Sequence, residues 1–202
     1  MGSQVQCKVR YGKKTSEGNA LLETEELIFR GDFRLTIPFK DIQSVEAKDG
    51  QLYFAFAEES AIFDLGPFAE KWAAKIRKPK SLIDKLGVKP DFQVAVLHVA
   101  DDAFWTQLKE RTTNIATGKS KPESDIIFLG AETKTDLRKL ASLPKSIKKN
   151  GAIWVIWPKG RPELKEDDVR AAAIAAGLVD VKVVKFSDSH SGLKLVIPVA
   201  RR

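Results

Sequence analysis

The spacing of hydrophobic residues changes part-way along the chain. Over the first 65 residues, short alternating runs of apolar and polar residues are separated by glycine turns, which predicts strands at 5–11, 26–30, 33–37, 42–47, 52–56 and 61–63. Gly31-Asp32 and Asp49-Gly50 are typical of tight hairpin turns. Phe68, Trp72, Ala73 and Ile76 then form one apolar helical face between Pro67 and Pro79. This part therefore predicts a small antiparallel β-barrel closed by a C-terminal helix.

Beyond residue 80 the pattern becomes that of an α/β protein. Ser81 is suited to cap a short helix over 82–86, which Gly87 ends. Strands predicted at 92–99, 125–129 and 152–157 alternate with helices predicted at 102–111, 134–149 and 166–176, and Pro144 offers a break in the second of these helices. Two further strands, at 179–186 and 193–199, form an antiparallel hairpin. Because helices between strands favour right-handed crossovers, a three-layer α/β domain with a parallel sheet is expected.

The N-terminal strands also show a family resemblance. The segment LLETEELIFRGDFRLTIPFKDIQSVEAKDGQLYF, residues 21–54, resembles bacterial PH-like and GRAM-like domains. Those domains show the same succession of a strand, a hairpin, an Ile-Pro followed by Asp-Ile and Val, and a second hairpin. The resemblance implies a PH-like domain over residues 1–78.

The rest of the chain resembles an uncharacterised bacterial family with a class I methyltransferase-like core. The similar segments are KSLIDKLGVKPDFQVAVL (80–97), DIIFLGAETKTDL (125–137), GAIWVIWPKG (151–160) and DDVRAAAIAAGLVDVKVVKFSDSHSGLKLV (167–196). The resemblance implies a Rossmann-type domain over residues 79–202 that ends in an antiparallel strand pair. It supplies no established activity. The chain as a whole is thus expected to be an α+β protein of two domains.

The residues that would bind S-adenosylmethionine are missing from this pattern. The first α/β strand should end in a glycine-rich loop, and Val99-Ala100-Asp101-Asp102 stands there instead. An acid should follow the second strand to hold a ribose, but no acid lies between Arg111 and Glu123. Asp102 is predicted to cap the helix over 102–111. No cofactor is therefore expected, and no catalytic function is favoured.

Charge and composition bear on where the protein is located and on which partners it binds. The net charge is +7, and the first 78 residues hold equal numbers of basic and acidic residues. The basic excess therefore lies wholly in the second domain. Its basic residues are scattered, apart from the clusters Lys145/Lys148/Lys149, Lys159/Arg161 and Arg201/Arg202. We expect solvated surface charge rather than strong nucleic-acid binding. A lone cysteine, the lack of an apolar leader and the lack of long apolar runs predict a soluble, cytoplasmic protein without membrane insertion.

Few residues offer catalytic or metal-binding chemistry. The two histidines are far apart: His98 is predicted to be buried in its strand, and His190 to be solvated in a hairpin loop. With a single cysteine they form no zinc pattern, and no nucleophile elbow or complete P-loop occurs. Strand ends bind ligands in open α/β sheets. The candidate ligand-binding residues at such positions are Asp101, Asp102, Glu132, Lys134, Lys159, Arg161 and His190.

Three hypotheses about function follow from these observations. The first is a non-catalytic cytoplasmic protein that binds an unknown protein or small-molecule ligand on a degenerate methyltransferase-like scaffold. The second is an enzyme whose site has moved to the strand ends and acts on a small anionic substrate. The third is weak nucleic-acid binding through the basic second domain.

Overall fold

A computed structural model describes residues 3–202 of the chain. These residues divide into two compact units, the first ending at Lys80 and the second spanning Ser81–Arg202. The buried apolar residues of unit 1 form one cluster, and those of unit 2 form two. Each unit therefore has a hydrophobic core of its own.

Unit 1 is a curled antiparallel sheet of seven strands with a helix at its end. The strand order is β4-β3-β2-β1-β7-β6-β5. The elements are β1 (Ser3–Tyr11), β2 (Lys14–Leu22), β3 (Glu26–Arg30), β4 (Arg34–Pro38), β5 (Ile42–Lys48), β6 (Gln51–Phe56), β7 (Glu59–Asp64) and α1 (Ala69–Arg77). The described ladder ends at β4 on one side and β5 on the other, so the predicted barrel is a curled sheet.

Local turn chemistry accounts for several of these strands, but not all. Asp49 and Gly50 both have positive φ, as a tight β5–β6 hairpin requires. Strand β2 was not predicted, because its sequence KTSEGNALL is mostly polar; it forms by pairing with β1 along its whole length. In α1, Trp72, Ala73 and Ile76 are buried as expected. The placement of Phe68 on that face is wrong, since it precedes the helix and is 43% exposed.

Unit 2 is built around a six-stranded mixed sheet in the order β12-β13-β11-β10-β8-β9. Strands β8, β9, β10 and β11 are parallel, and β13 runs antiparallel between β11 and β12. The elements are α2 (Leu82–Leu86), β8 (Val94–Leu97), α3 (Asp102–Arg111), β9 (Ile115–Thr117), β10 (Ser124–Gly130), β11 (Ile147–Pro158), α4 (Glu166–Ala175), β12 (Val179–Lys185) and β13 (His190–Val196). A parallel α/β run that closes in an antiparallel pair agrees with the predicted Rossmann-type core.

Helical segments cover both faces of this sheet and give three layers. Residues of α2 and α3 pack on one face, and α4 with two 3-10 helices packs on the other. Trp154 and Trp157 are buried on opposite faces of the sheet, so β11 is covered on both sides. The indole N–H of Trp154 donates to the carbonyl oxygen of Leu86 at 3.0 Å, which ties β11 to the end of α2.

Two predictions for unit 2 are wrong in ways that affect the site. The helix predicted over 134–149 is replaced by 3-10 helices at Asp136–Ala141 and Leu143–Ser146, and β11 already begins at Ile147. Pro144 lacks an amide hydrogen and disfavours α-helix in the residue before it, which explains the break. His98 is not a buried strand residue: β8 ends at Leu97, and His98 is exposed with φ of 56°.

Candidate functional site at the carboxyl ends of the strands

The polar residues singled out in the sequence converge on one edge of the unit 2 sheet. Strands β8, β10 and β11 are parallel, so their carboxyl ends lie at the same edge. Strand β13 is antiparallel and begins there with His190, which pairs with Pro158 at the end of β11. The prediction of His190 in the hairpin loop is therefore wrong, because this pairing extends the strand to it. Open α/β sheets bind ligands at this edge, at the point where the strand order reverses. In unit 2 that point lies between β8 and β10.

The crevice between the ends of β8 and β10 is closed by backbone. A Cβ built on Gly130 would overlap the carbonyl oxygen of His98, so the turn after β8 lies directly against the end of β10. The positive φ of His98 bends the chain into this position. Any larger residue at position 130 would force the two strand ends apart. The lack of a side chain at Gly130 therefore allows the backbone of the two strand ends to pack closely, and does not serve access by a ligand.

The N-terminus of α3 is also occupied, by a residue one position earlier than predicted. Asp101 is the N-cap, and its Oδ1 accepts a hydrogen bond from the backbone N–H of Phe104 at 2.8 Å. Asp102 is the first helical residue and is exposed, so its prediction as the cap is wrong. The two aspartates place carboxylates where a bound anion would need free amides. The end of the helix is therefore capped by a side chain of the protein, but Asp101 and not Asp102 is the cap.

These residues do not fit S-adenosylmethionine. The turn after β8 lacks glycine, Asp101 has taken the helix amide, and Gly130 closes the adjoining crevice. Strand β9 ends at Thr117 and is followed by Gly118 and Lys119, so no acid directly follows the strand whose end would contact the ribose.

Glu132, Arg161 and His190 are brought together from three separate segments. Glu132 Oε2 lies 2.9 Å from Arg161 Nη1, and Glu132 Oε1 lies 3.4 Å from His190 Nε2. His190 Nδ1 is 2.9 Å from the hydroxyl of Ser189, which the sequence analysis did not single out. The side chains of Glu132 and Arg161 are more than half exposed, and that of His190 is 30% exposed. Exposed ion pairs of this kind contribute about 0–1 kcal/mol, so another anion can replace Glu132 at the guanidinium at small cost.

Lys134 and Lys159 are engaged elsewhere along the same edge. Lys134 Nζ lies 2.7 Å from Asp168 Oδ1 in the first turn of α4, and this contact lowers the pKa of Asp168. Lys159 Nζ donates to the carbonyl oxygen of Ser187 at 2.6 Å and so holds the β12–β13 turn. Of the seven candidates, therefore, Glu132, Arg161 and His190 form one cluster. Lys134 and Lys159 are structural ties beside it, and the aspartates belong to the closed turn.

A shallow groove of about 650 Å³ adjoins this cluster. Its cationic side chains are Lys159, Arg161 and Lys165, and Glu166 is the acidic one. Ser191 adds a hydroxyl, and Trp157, Pro158, Gly160, Pro162 and Leu164 complete the wall. The groove is therefore net positive, with an apolar floor, and it lies at the end of β11.

No group of three or more His, Cys, Asp or Glu side chains within residues 3–202 is placed to hold a metal ion. None of the helices described in this chain is both long and apolar enough to cross a membrane.

Comparison with known proteins gives a likeness in fold but no family. No protein-family model matches the chain, and no curated protein does. Among solved structures, a SAM dependent methyltransferase from Aquifex aeolicus is 16% identical over 58% of this chain and 88% of that chain, with a TM-score of 0.48. The fibrillarin pre-rRNA processing protein of Methanococcus jannaschii is 14% identical over 94% of this chain and 97% of that one, with a TM-score of 0.39. Since both scores are below 0.5, we base the Rossmann-type fold of unit 2 on its own strand order.

Proposed function

We propose that this chain is a non-catalytic cytoplasmic binding protein on a degenerate methyltransferase-like scaffold. In this proposal, unit 2 belongs with the uncharacterised bacterial family that its sequence resembles, and unit 1 is a PH-like module. The order of the seven strands, followed by one helix, supports a PH-like fold for unit 1. The ligand site has moved from the turn after β8 to the end of β11.

The contact between His98 and Gly130 is the observation on which this proposal rests. It removes the space that a cofactor would enter at the switch point, and Asp101 removes the amide that would hold its anionic part. The fold is kept while its usual site is filled. That combination favours binding over methyl transfer.

The groove beside Arg161 is suited to a small anion. Arg161 can present a planar fork of donors to a phosphate or carboxylate once Glu132 turns away. Lys165 and Ser191 line the same groove, and His190 flanks Glu132. A phosphate-like or dicarboxylate ligand therefore matches the charge and the donors of the site.

Calorimetry with S-adenosylmethionine and S-adenosylhomocysteine tests the loss of the cofactor site. We expect no heat of binding for either compound at millimolar concentration. Micromolar affinity for one of them would overturn the proposal, because the filled crevice would then have to open.

The two histidines allow a direct test of the anion site. Ring signals of His98 and His190 can be assigned by NMR with His98→Gln and His190→Gln variants. Titration with pyrophosphate should shift the His190 signals saturably and leave those of His98 in place. Arg161→Gln should remove the shift. If both histidines respond alike, or if Arg161→Gln has no effect, the assignment of the site is wrong.

An enzyme with a relocated site is the second candidate, and one observation favours it. Ser189, His190 and Glu132 form a chain of hydroxyl, imidazole and carboxylate, with contacts of 2.9 and 3.4 Å. This is the order of groups used to activate a serine nucleophile. The serine is exposed and adjacent in sequence to the histidine, so the contact also arises from simple turn geometry. Binding therefore remains the favoured function.

Hydrolysis of a 4-nitrophenyl ester separates the two candidates. The binding protein should give the same rate as its Ser189→Ala variant and should not react with a fluorophosphonate. A rate that falls at least a hundredfold on Ser189→Ala, with labelling of Ser189, would make the relocated enzyme the better account.

A further inference from the structure

Several lysines that form no ion pair with any described residue flank a junction between the segments that lead into β10 and β11. Residues 118–123 run from the carboxyl end of β9 to the amino end of β10, and residues 143–146 lead into the amino end of β11. The hydroxyls of Ser120 and Ser146 are 3.1 Å apart and join the two segments directly. Ser124 Oγ donates to the carbonyl oxygen of Lys121 at 2.6 Å and fixes the loop against β10.

Five lysines lie in these joined segments or within the first three residues of β11, and we call them the lysine edge. Its members are Lys119, Lys121, Lys145, Lys148 and Lys149. Lys148 is neutralised by Asp125, whose Oδ1 lies 2.7 Å from its Nζ. The other four are exposed and form no ion pair with any described residue. Glu123 is the one remaining acid in the two segments.

The lack of ion-pair partners among the described residues distinguishes these four lysines from Arg161 at the carboxyl ends of the strands. There Arg161 faces Glu132, and Lys159 is held by the carbonyl oxygen of Ser187. A polyanion binding at Arg161 or Lys159 would displace Glu132 or the carbonyl oxygen of Ser187, at small cost for the exposed ion pair. At the lysine edge it meets four lysines that form no ion pair with any described residue.

We propose that the lysine edge binds the phosphodiester backbone of nucleic acid without regard to sequence. Repeated phosphates match a row of separate ammonium groups, and the serine hydroxyls between them are further phosphate donors. The two segments contain no arginine and no aromatic residue, so neither base readout nor base stacking is supported. They also expose no large apolar side chain, which a membrane-surface site would need.

The expected affinity follows from the number of free cations. Four lysines that each neutralise one phosphate give a slope of log affinity against log salt of about −4. Backbone-only binding of this size corresponds to dissociation constants of about 10–100 μM near physiological salt. The surface is thus a weak, salt-sensitive contact, consistent with the expectation that nucleic acid is not bound strongly.

Fluorescence anisotropy on the full chain tests the proposal with labelled duplexes of about 20 base pairs, one of DNA and one of RNA, across a salt series. The variant K119Q/K121Q/K145Q/K149Q should lose at least tenfold in affinity at low salt and should flatten the slope. The matched control, K13Q/K14Q/K40Q/K71Q, removes the same charge from exposed lysines of unit 1 and should retain most of the slope. DNA and RNA should bind within a few-fold of each other.

Several results would overturn the proposal. Equal losses in both quadruple variants would mean that net charge, not the lysine edge, determines binding. A preference for one base sequence, or binding to anionic vesicles or polyglutamate in place of nucleic acid, would assign another partner to this surface. Circular dichroism of both variants establishes that the fold is retained before the affinities are compared.

Discussion

Asp101 caps helix α3 by accepting a hydrogen bond from the backbone N–H of Phe104, at a position where a cofactor-binding domain would offer free amides to an anion. The Oδ1 atom of Asp101 lies 2.8 Å from the backbone nitrogen of Phe104, so the first turn of α3 is capped by the protein itself. The side chain of Phe104 is fully buried between α3 and the sheet, which fixes the position of the amide. A bound anion would compete with a cap already in place.

The first prediction compares the two neighbouring aspartates. Asp101→Ala should lower the free energy of unfolding by about 1 kcal/mol, because an N-cap is lost. Asp102→Ala should cost about 0.5 kcal/mol or less, since an exposed first-turn acid contributes only through the helix dipole. Urea unfolding in a Trp72→Phe background, which leaves tryptophans only in unit 2, measures the difference. A larger loss for Asp102→Ala would contradict the assignment of the cap.

The second prediction concerns the closed crevice. Gly130→Ala should destabilise unit 2 by about 1–3 kcal/mol, because its Cβ overlaps the backbone of His98. Gly192→Ala is the control within the same sheet, since its Cβ meets only side-chain atoms, the nearest 3.3 Å away on Val184. Thermal unfolding of both variants tests this. If Gly130→Ala were as stable as Gly192→Ala, the crevice would have room to open.

The third prediction is a pH dependence that arises from Asp84. Its carboxylate pairs with Arg111 at 2.7 Å and accepts hydrogen bonds from the hydroxyl and backbone N–H of Ser81, and the pairing with Arg111 is the main cause of a lowered pKa. A carboxyl whose folded pKa is lowered stabilises the fold above its unfolded pKa. That stabilisation is lost as the pH falls through the folded value.

Asp84→Asn should therefore reduce stability at neutral pH and make little difference in strong acid. Unfolding free energies measured from about pH 6 down to pH 2 should converge for the two proteins. Asp167→Asn, at an exposed carboxylate of α4, serves as the control and should leave the curve close to that of the unmodified chain. A constant difference across this range would show that the charge of Asp84 is not the source of its contribution to stability.

The fourth prediction concerns the division of the chain. Residues 79–202 expressed alone should remain soluble and give α/β circular dichroism, because the two core clusters of unit 2 are drawn from its own residues. A cooperative thermal transition would support an independent domain. An insoluble or unfolded fragment would contradict it.

Local chemistry made several elements predictable from the sequence. Ser81 and Gly87 mark both ends of α2, and the structure has a capping box at the first and positive φ at the second. Asp49-Gly50 determines the β5–β6 turn in the same way. In each case the residue's own conformational preference or hydrogen-bonding capacity decides the outcome within one turn of chain.

Other features depended on contacts that the sequence does not contain. Strand β2 is polar and exists because β1 pairs with it, and β9 has only three residues and is defined by its ladder with β8. His98 lies outside the strand predicted for it, because the backbone turns there and packs against Gly130, which lies 32 positions later in the sequence.

The sequence by itself determined that unit 2 alternates strands with helices and lacks a glycine-rich turn after its first strand. Tertiary structure alone decided that Glu132 meets His190, which is 58 positions away, and that Ser120 meets Ser146. The physical reason is that periodicity and capping act over a few residues. Which strand ends share an edge depends on sheet order, and sheet order is set by packing across the whole domain.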